Sequence, residues 1–192
     1  MQLDFNAEEH SYRLDGRPVP SVTRILKPLD MFEHVPLDVL ERAREFGQHV
    51  HLACDLDDKG LLDEATLDAE LLPYLRGWRR FLAESGFQII ASEQPVAHAK
   101  LGYAGTLDRR AIHRNRRVIL DIKSGQMPLS VGPQVSAYAE AWGHQSGERG
   151  LKRYCVQVMP DAYKLHELTD PADWSIFLSC LNLHKFLNRS AT

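Results

Sequence analysis

The segment VILDIKSG (residues 118–125) places two charged residues inside a stretch that otherwise predicts a buried strand. Its aliphatic residues are mostly β-branched, and the Ser-Gly pair that follows is typical of a turn. Asp121 and Lys123 are expected to point to one face, because alternate residues of a strand share a face. Since an unpaired charge is costly inside a sheet, we expect both side chains to meet a common partner.

A second aspartate, Asp108 in GYAGTLDRR, lies thirteen residues before Asp121. A hairpin turning at HRNRR (residues 113–117) would place the two aspartates on neighbouring strands. Carboxylates on adjacent strands can share a divalent cation, since Mg²⁺ prefers oxygen ligands. Lys123 on the same face can orient water or stabilise charge on a phosphate oxygen. These residues indicate a site for a divalent cation and a phosphate group.

Each of these residues also has a structural interpretation. Asp121 and Lys123 can form an ion pair at the end of a strand, and Asp108 can pair with an arginine of the hairpin. Arg109 is expected to point away from Asp108, however, because adjacent strand residues face opposite sides. The cation site accounts for the three residues together.

Hydrophobic periodicity predicts the elements that must position this site. A hairpin at Asp15-Gly16 and a short helix capped by Ser21 or Thr23 come first. Helices are predicted at residues 37–56, 69–84, 131–144 and 171–187, and strands at 87–97, 101–112, 117–123, 151–159 and 163–168. The order predicts an α/β fold with a central mixed β-sheet flanked by helices. We expect residues 1–192 to form a single domain, with the hairpin and short helix of residues 1–36 as an appendage.

The composition limits the classes of function. The chain is 44% hydrophobic and 26% charged with a net charge of −3, so any nucleic-acid contact must use a local patch or metal ions. Three scattered cysteines suggest reduced thiols. The chain begins without the features of a signal peptide and contains no long apolar run. We expect a cytoplasmic protein that does not bind a membrane.

A histidine is the fourth candidate ligand. His51 in GQHVH shares a face of the predicted helix with Leu40, Gly47 and Cys54, whereas His49 does not. A lone histidine on an apolar helix face is often a core residue, which is the alternative interpretation. Because Mg²⁺ disfavours nitrogen, a histidine ligand would make Mn²⁺ an especially good activator.

In this order the motifs resemble the PD-(D/E)xK nuclease superfamily, in particular its RecB-like and phage-type exonuclease branch. GTLD (105–108) and DIK (121–123) resemble its D…(D/E)xK signature, and QVSAY, with Gln134 and Tyr138, resembles the QxxxY motif. GQHVH resembles the helical motif whose histidine binds metal, and Glu93 in SEQPV lies where related exonucleases often carry an acid. VPSVTRIL is similar to a segment of mitochondrial genome maintenance exonucleases. The resemblance covers residues 10–142.

The resemblance implies a restriction-endonuclease-like core and a metal-dependent deoxyribonuclease acting on DNA ends in recombination or repair. One or two Mg²⁺ or Mn²⁺ ions would be bound by His51, Asp108, Asp121 and the carbonyl of Ile122, with Lys123 positioning the attacking hydroxide. Some RecB-like nucleases bind an iron–sulfur cluster through four cysteines. This chain has three, differently spaced, so we expect no such cluster.

Further residues are candidates for contacts with substrate. Gln134 and Tyr138 share a helix face and are expected near the active site, although Tyr138 can also be a core residue. Glu93 is either an acid that supports the metal ligands or a surface residue. The arginines crowded around the hairpin turn are either solvated or contact a DNA backbone beside the phosphate site; the candidates are Arg109, Arg110, Arg114 and Arg116.

Other classes of function stay open at this point. The protein could be a DNA-binding module without turnover, although the intact Asp108, Asp121 and Lys123 argue against that. It could carry a structural or regulatory metal site, which would leave the lysine without a role. An endonuclease of restriction or Holliday-junction type is the alternative among enzymes. The residues alone indicate neither exonuclease nor endonuclease action, nor whether the chain forms a homo-oligomer or binds a recombination partner.

Overall fold

The computed structural model of the protein describes residues 2–6, 9–29 and 35–189. The helices are α1 Val22–Leu26, α2 Leu37–Asp58, α3 Leu72–Ser85, α4 Val131–Ser146 and α5 Ala172–Leu187. The strands are β1 Leu3–Asn6, β2 Ser11–Leu14, β3 Arg17–Val19, β4 Gln88–His98, β5 Tyr103–His113, β6 Arg116–Lys123, β7 Lys152–Met159 and β8 Ala162–Glu167.

The central sheet has five strands in the order β4-β5-β6-β7-β8. All neighbours are antiparallel except β6 and β7, which are parallel. A parallel pair needs a long crossover connection, and α4 supplies it here. The predicted α/β fold with a mixed sheet flanked by helices is therefore confirmed.

Helices cover both faces of this sheet. On one face, Val118, Leu120 and Ile122 of β6 belong to a core cluster that includes buried residues of α2 and α3, such as Cys54 and Trp78. On the other face, β6 contributes Ile119 to a cluster with α1, α4 and α5. A strand buried on both faces is apolar at consecutive positions, which explains the run VIL in the sequence.

A separate three-stranded sheet, β1-β2-β3, precedes the main sheet. The predicted turn at Asp15-Gly16 has positive φ at both residues (48° and 77°), as a tight hairpin requires. Ser21 caps α1 by accepting a hydrogen bond from the backbone N–H of Arg24, as predicted. Strand β1 was not predicted from the sequence.

The short helix α1 packs deeply into the protein. Val22 and Ile25 are fully buried in the cluster formed with α4 and α5. From β2, the Tyr12 hydroxyl forms a 2.9 Å hydrogen bond with the Thr106 hydroxyl of β5. This part of residues 1–36, which we expected to be an appendage, therefore joins the main core.

No helix in residues 2–6, 9–29 and 35–189 combines the length and apolar character needed to cross a membrane.

Candidate metal centre

Strands β5 and β6 separate at the position of the two predicted aspartates. Their backbone pairing runs from His113 and Arg116 to Arg109 and Leu120. At the next position, Asp108 Oδ2 accepts a 2.8 Å hydrogen bond from the backbone N–H of Ile122. The carboxylate thus takes the place of a backbone carbonyl and satisfies a buried donor. Asp108 is thereby fixed at the point where the strands diverge.

Asp121 and Lys123 point to the same face, as the strand pattern predicted. Asp121 is 1% exposed, and its Oδ2 lies 2.7 Å from Lys123 Nζ. Its other oxygen, Oδ1, is buried and has no hydrogen-bond partner among the described residues. Burial raises the pKa of Asp121, although the neighbouring Lys123 opposes this shift. A buried carboxylate oxygen without a partner is costly, so this atom is suited to bind a cation.

Helix α2 brings a histidine to the same place. His51 Nδ1 lies 3.5 Å from Asp108 Oδ2. One ligand atom from each of His51, Asp108 and Glu93 lies within 4.8 Å of the other two. His49 is exposed instead. Of the two histidines, the structure therefore places His51 in the site.

Glu93 has an unusual backbone conformation. It lies within β4 with φ at 45°, a left-handed value that is uncommon for a residue other than glycine. Its neighbours Ser92 and Gln94 pair with Arg109 and Leu107, so Glu93 lies across from Asp108. Strained backbone of this kind often occurs at functional sites. The sequence left open whether Glu93 lies at the site or on the surface, and the structure places it beside Asp108.

The charge of Glu93 is disfavoured in its position. Burial and the negative charge of Asp108 raise the pKa of Glu93 to about 7, and the nearby Arg109 only partly offsets them. Two carboxylates held close together without a cation repel each other in this way. A bound cation would remove the repulsion.

Replacing Glu93 by glutamine is expected to raise the free energy of unfolding of the metal-free protein, relative to wild type, more at pH 8 than at pH 5. The folded state keeps the Glu93 proton up to about pH 7, whereas an unshifted glutamate releases it near 4.5. The stability contributed by protonated Glu93 is thus complete below pH 4.5 and is lost as the pH rises through 7. Glutamine cannot ionise and avoids this loss. Urea unfolding in EDTA at both pH values measures the difference.

Glu84→Gln is the control for this measurement. The pKa of Glu84 is lowered by a hydrogen bond from Arg80, so its replacement should bring no gain at pH 8. A change in unfolding free energy on Glu93→Gln that is the same at both pH values would contradict the raised pKa of Glu93.

Arg109 does not contact a DNA backbone, and our expectation for it was wrong. Its side chain is 0% exposed, and its Nε donates a 2.6 Å hydrogen bond to Asp58 Oδ2 at the end of α2. Asp108 and Arg109 reach different residues of α2, since the Asp108 carboxylate lies beside His51 and the Arg109 guanidinium bonds Asp58. Regular alternation is interrupted in this part of β5, because Leu107 belongs to the cluster with α1, α4 and α5, whereas Arg109, two residues later, bonds Asp58 of α2.

The basic turn does not lie beside the site. Arg114 and Arg116 are exposed at the tip of the β5–β6 hairpin. Arg116 precedes Asp121 by five residues on β6, which is roughly 16 Å along a strand. Arg110 stacks on Trp142 with its guanidinium 3.8 Å from the ring centroid, and its Nε donates to Gln94. The expectation that this cluster adjoins the phosphate site is therefore wrong.

Gln134 and Tyr138 project from α4 into the site. Gln134 Nε2 donates a 3.2 Å hydrogen bond to the Tyr138 hydroxyl. Tyr138 is also a core residue, 4% exposed, and burial raises its pKa well above the usual value. A Cβ at Gly105 would lie 2.7 Å from the Tyr138 ring, so the glycine of GTLD allows this ring to approach β5.

A cleft of about 560 Å³ joins these groups. It lies against α2, α4, β4, β5 and the end of β6. Several lining residues were not singled out from the sequence, although Arg44 and Gln48 precede His51 at helical spacing. The lining residues are His10, Thr23, Arg44, Gly47, Gln48, His51, Leu52, Asp55, Glu93, Thr106, Asp108, Lys123, Gln134 and Tyr138.

The three cysteines lie on different elements, Cys54 on α2, Cys155 on β7 and Cys180 on α5, and each is buried as a free thiol. Cys155 is next to the site, with its Sγ 3.6 Å from Asp121 Oδ2. Burial raises the pKa of Cys155, so the thiol stays protonated and donates to the carboxylate.

Neither a protein-family model nor a curated protein matches the chain. Among solved structures, the crystal structure of SSO0001 is similar to it, with a TM-score of 0.38 and 12% identity over 86% of this chain and 84% of the other.

Proposed function

We propose that the protein is a metal-dependent deoxyribonuclease that hydrolyses phosphodiester bonds, most simply an exonuclease acting on DNA ends in the cytoplasm. One observation carries the proposal. Ligand atoms of His51, Glu93 and Asp108 lie within 4.8 Å of one another. The buried Asp121 lies beside them, and its Oδ2 is 2.7 Å from Lys123 Nζ. A cation site next to a fixed lysine is an arrangement suited to phosphate chemistry.

The residues present fit a divalent cation. Carboxylate oxygens and one imidazole nitrogen suit Mn²⁺, and the carboxylates suit Mg²⁺. Asp121 Oδ1 offers a further oxygen without a partner among the described residues. The backbone N–H of Ile122 points to Asp108, and the carbonyl of a strand residue faces the same side as its N–H. The Ile122 carbonyl is thus a suitable additional ligand.

A divalent cation, when bound, lowers the pKa of a coordinated water and neutralises charge on a phosphate. The chain's own residues determine how that chemistry is used. Burial alone would favour a neutral Lys123, but the charges of Asp121 and Asp108 outweigh burial and raise its pKa above the usual value. Lys123 therefore remains a cation that donates hydrogen bonds. It orients water or a phosphate oxygen and does not act as a general base.

The cleft gives the substrate access to these groups. Tyr138 and Leu52 provide apolar wall, while Arg44 and Gln48 add polar groups on the side of α2. A cleft of about 560 Å³ can admit part of a nucleic-acid strand. The overall charge of −3 does not oppose DNA binding, because the acidic groups of the site would be neutralised by the cation.

Degradation of labelled DNA tests this function. End-labelled single-stranded DNA, end-labelled duplex and closed circular DNA are incubated with the protein in EDTA, Mg²⁺ or Mn²⁺. We expect metal-dependent loss of linear but not circular DNA, with Mn²⁺ especially effective because of His51. Nicking of circles would indicate an endonuclease. Binding without cleavage under any metal would overturn the enzymatic proposal and indicate a binding module.

A further inference from the structure

A single nitrogen of Arg109 contacts the backbone of Asp108 and the carboxylate of Glu93. Its Nη1 donates a 2.7 Å hydrogen bond to the backbone carbonyl of Asp108 and a 3.2 Å hydrogen bond to Glu93 Oε1. The contact with Glu93 joins β4 to β5 at the point where each strand carries a carboxylate, and the contact with Asp108 holds the guanidinium against the backbone of its own strand.

The other side of the same guanidinium is anchored to α2. Arg109 Nε donates to Asp58 Oδ2 at 2.6 Å, and Trp78 Nε1 donates to Asp58 Oδ1 at 2.9 Å. Asp58 follows His51 on α2 by seven residues, which is about two turns of helix. One planar side chain thus connects the three elements that supply His51, Glu93 and Asp108.

Stability alone is a poor explanation for this arrangement. Arg109 is 0% exposed, and its Nη2 has no hydrogen-bond partner among the described residues. Buried ion pairs seldom stabilise a fold more than apolar residues of similar size, because the loss of hydration is large. An incompletely satisfied buried arginine therefore suggests a role in geometry.

The repulsion within the site gives Arg109 such a role. Glu93 and Asp108 hold their carboxylates close together, and Glu93 does so with a strained backbone. The positive charge of Arg109 opposes this repulsion from within the core. Its fork donates to several acceptors in a fixed geometry, which a lysine ammonium cannot reproduce.

We propose that Arg109 is the positioning residue of the cation site, holding Glu93, Asp108 and the α2 helix of His51 in the arrangement that binds a divalent cation. The inference rests on the proposed metal-dependent function. Arg109 itself touches neither cation nor substrate. It acts through the residues that it orients.

Mn²⁺ binding to Arg109→Lys tests the proposal directly. The wild-type protein and the variant are titrated with Mn²⁺, and free Mn²⁺ is measured by electron paramagnetic resonance, without DNA. We expect the affinity of Arg109→Lys to fall at least about tenfold, the scale seen when residues that orient metal ligands are changed. Circular dichroism identifies conditions in which each protein is folded.

Arg153→Lys is the matched control. Arg153 is also largely buried and pairs with an aspartate, since its Nη1 lies 2.8 Å from Asp173 Oδ2, but it contacts no residue of the cation site. Its replacement should leave Mn²⁺ affinity unchanged. If Arg109→Lys fails to fold, Asp58→Asn takes its place, because it weakens the same anchor while keeping the side-chain shape, and we expect the same direction of change.

The outcomes separate the two proposals. A wild-type protein that does not bind Mn²⁺ would overturn the proposed function and this inference with it. Normal binding by both wild type and Arg109→Lys would overturn the positioning role alone. An equal loss in Arg153→Lys would also overturn it, because binding would then follow general stability.

Discussion

Asp121→Asn is expected to lower kcat for DNA hydrolysis by at least about 10³-fold, or about 4 kcal/mol of transition-state stabilisation. The substitution keeps the shape of the side chain and removes its negative charge. Asp121 supplies a buried oxygen without a partner among the described residues, and it also fixes Lys123 through the 2.7 Å contact. Both effects are lost together in the variant.

This variant is measured on end-labelled DNA at saturating Mn²⁺. Asp173→Asn serves as its control, because Asp173 is a buried aspartate that pairs with Arg153 away from the site. The control is expected to lose stability and keep kcat. A rate for Asp121→Asn within about tenfold of wild type would exclude Asp121 from the catalytic site.

Lys123→Met is expected to lower kcat by about 10²- to 10³-fold, the range found when one electrostatic donor to a transition state is removed. Its effect on metal binding should differ from that of Asp121→Asn. Lys123 is a cation beside Asp121, and its pKa is raised by the charges of Asp121 and Asp108. Removing a positive charge next to a cation site should leave Mn²⁺ affinity equal or higher.

Single-turnover rates and Mn²⁺ titrations on the same preparation separate these effects. Lys152→Met is the control and should leave both quantities unchanged, since Lys152 pairs with Glu167 and lies at the start of β7, five positions from Gln157, the residue that lies opposite Lys123. Loss of Mn²⁺ binding in Lys123→Met would show that the lysine maintains the site's structure. An unchanged rate would show that it has no part in the chemistry.

The sequence predicted the elements well where local signals were strong. Helix α3 ends at Ser85, directly before Gly86 with φ at 73°, and the β2–β3 turn lies at Asp15-Gly16, because glycine adopts such conformations freely. The faces of β6 followed from strict alternation. Strand β1 alternates apolar and polar residues, but only over the four residues Leu3–Asn6, which is too short a run to distinguish a strand from chance alternation.

The core of the candidate site could also be predicted, but its surroundings could not. Asp108, Asp121, Lys123 and His51 converge because their spacing fits two strands and a helix face. The position of Arg109 could not be predicted, since arginine is rarely fully buried and its partner Asp58 is distant in sequence. The left-handed backbone of Glu93, which interrupts strand alternation, has no glycine to indicate it.

The prediction that the basic turn lies beside the site was wrong for a different reason. The turn is close to the site in sequence, but about five residues of extended strand separate them on each side of the hairpin. The rise per residue of a strand was sufficient to show this in advance. The dense run of arginines in the sequence thus suggested a DNA interface beside the site, which the geometry of the hairpin does not support.

The parallel pairing of β6 with β7 sets the smallest piece of chain that can form this site. The recognisable motifs end at Tyr138, yet Asp121 lies on a strand whose far edge is satisfied by residues 152–159. A fragment ending after α4 would carry every motif residue and leave β6 as an unpaired, apolar edge prone to aggregation. Because this pairing joins segments distant in sequence, it is also the slow kind of contact to form. The site would thus be completed late in folding, after residues 152–159, which follow the last motif residue, have been synthesised.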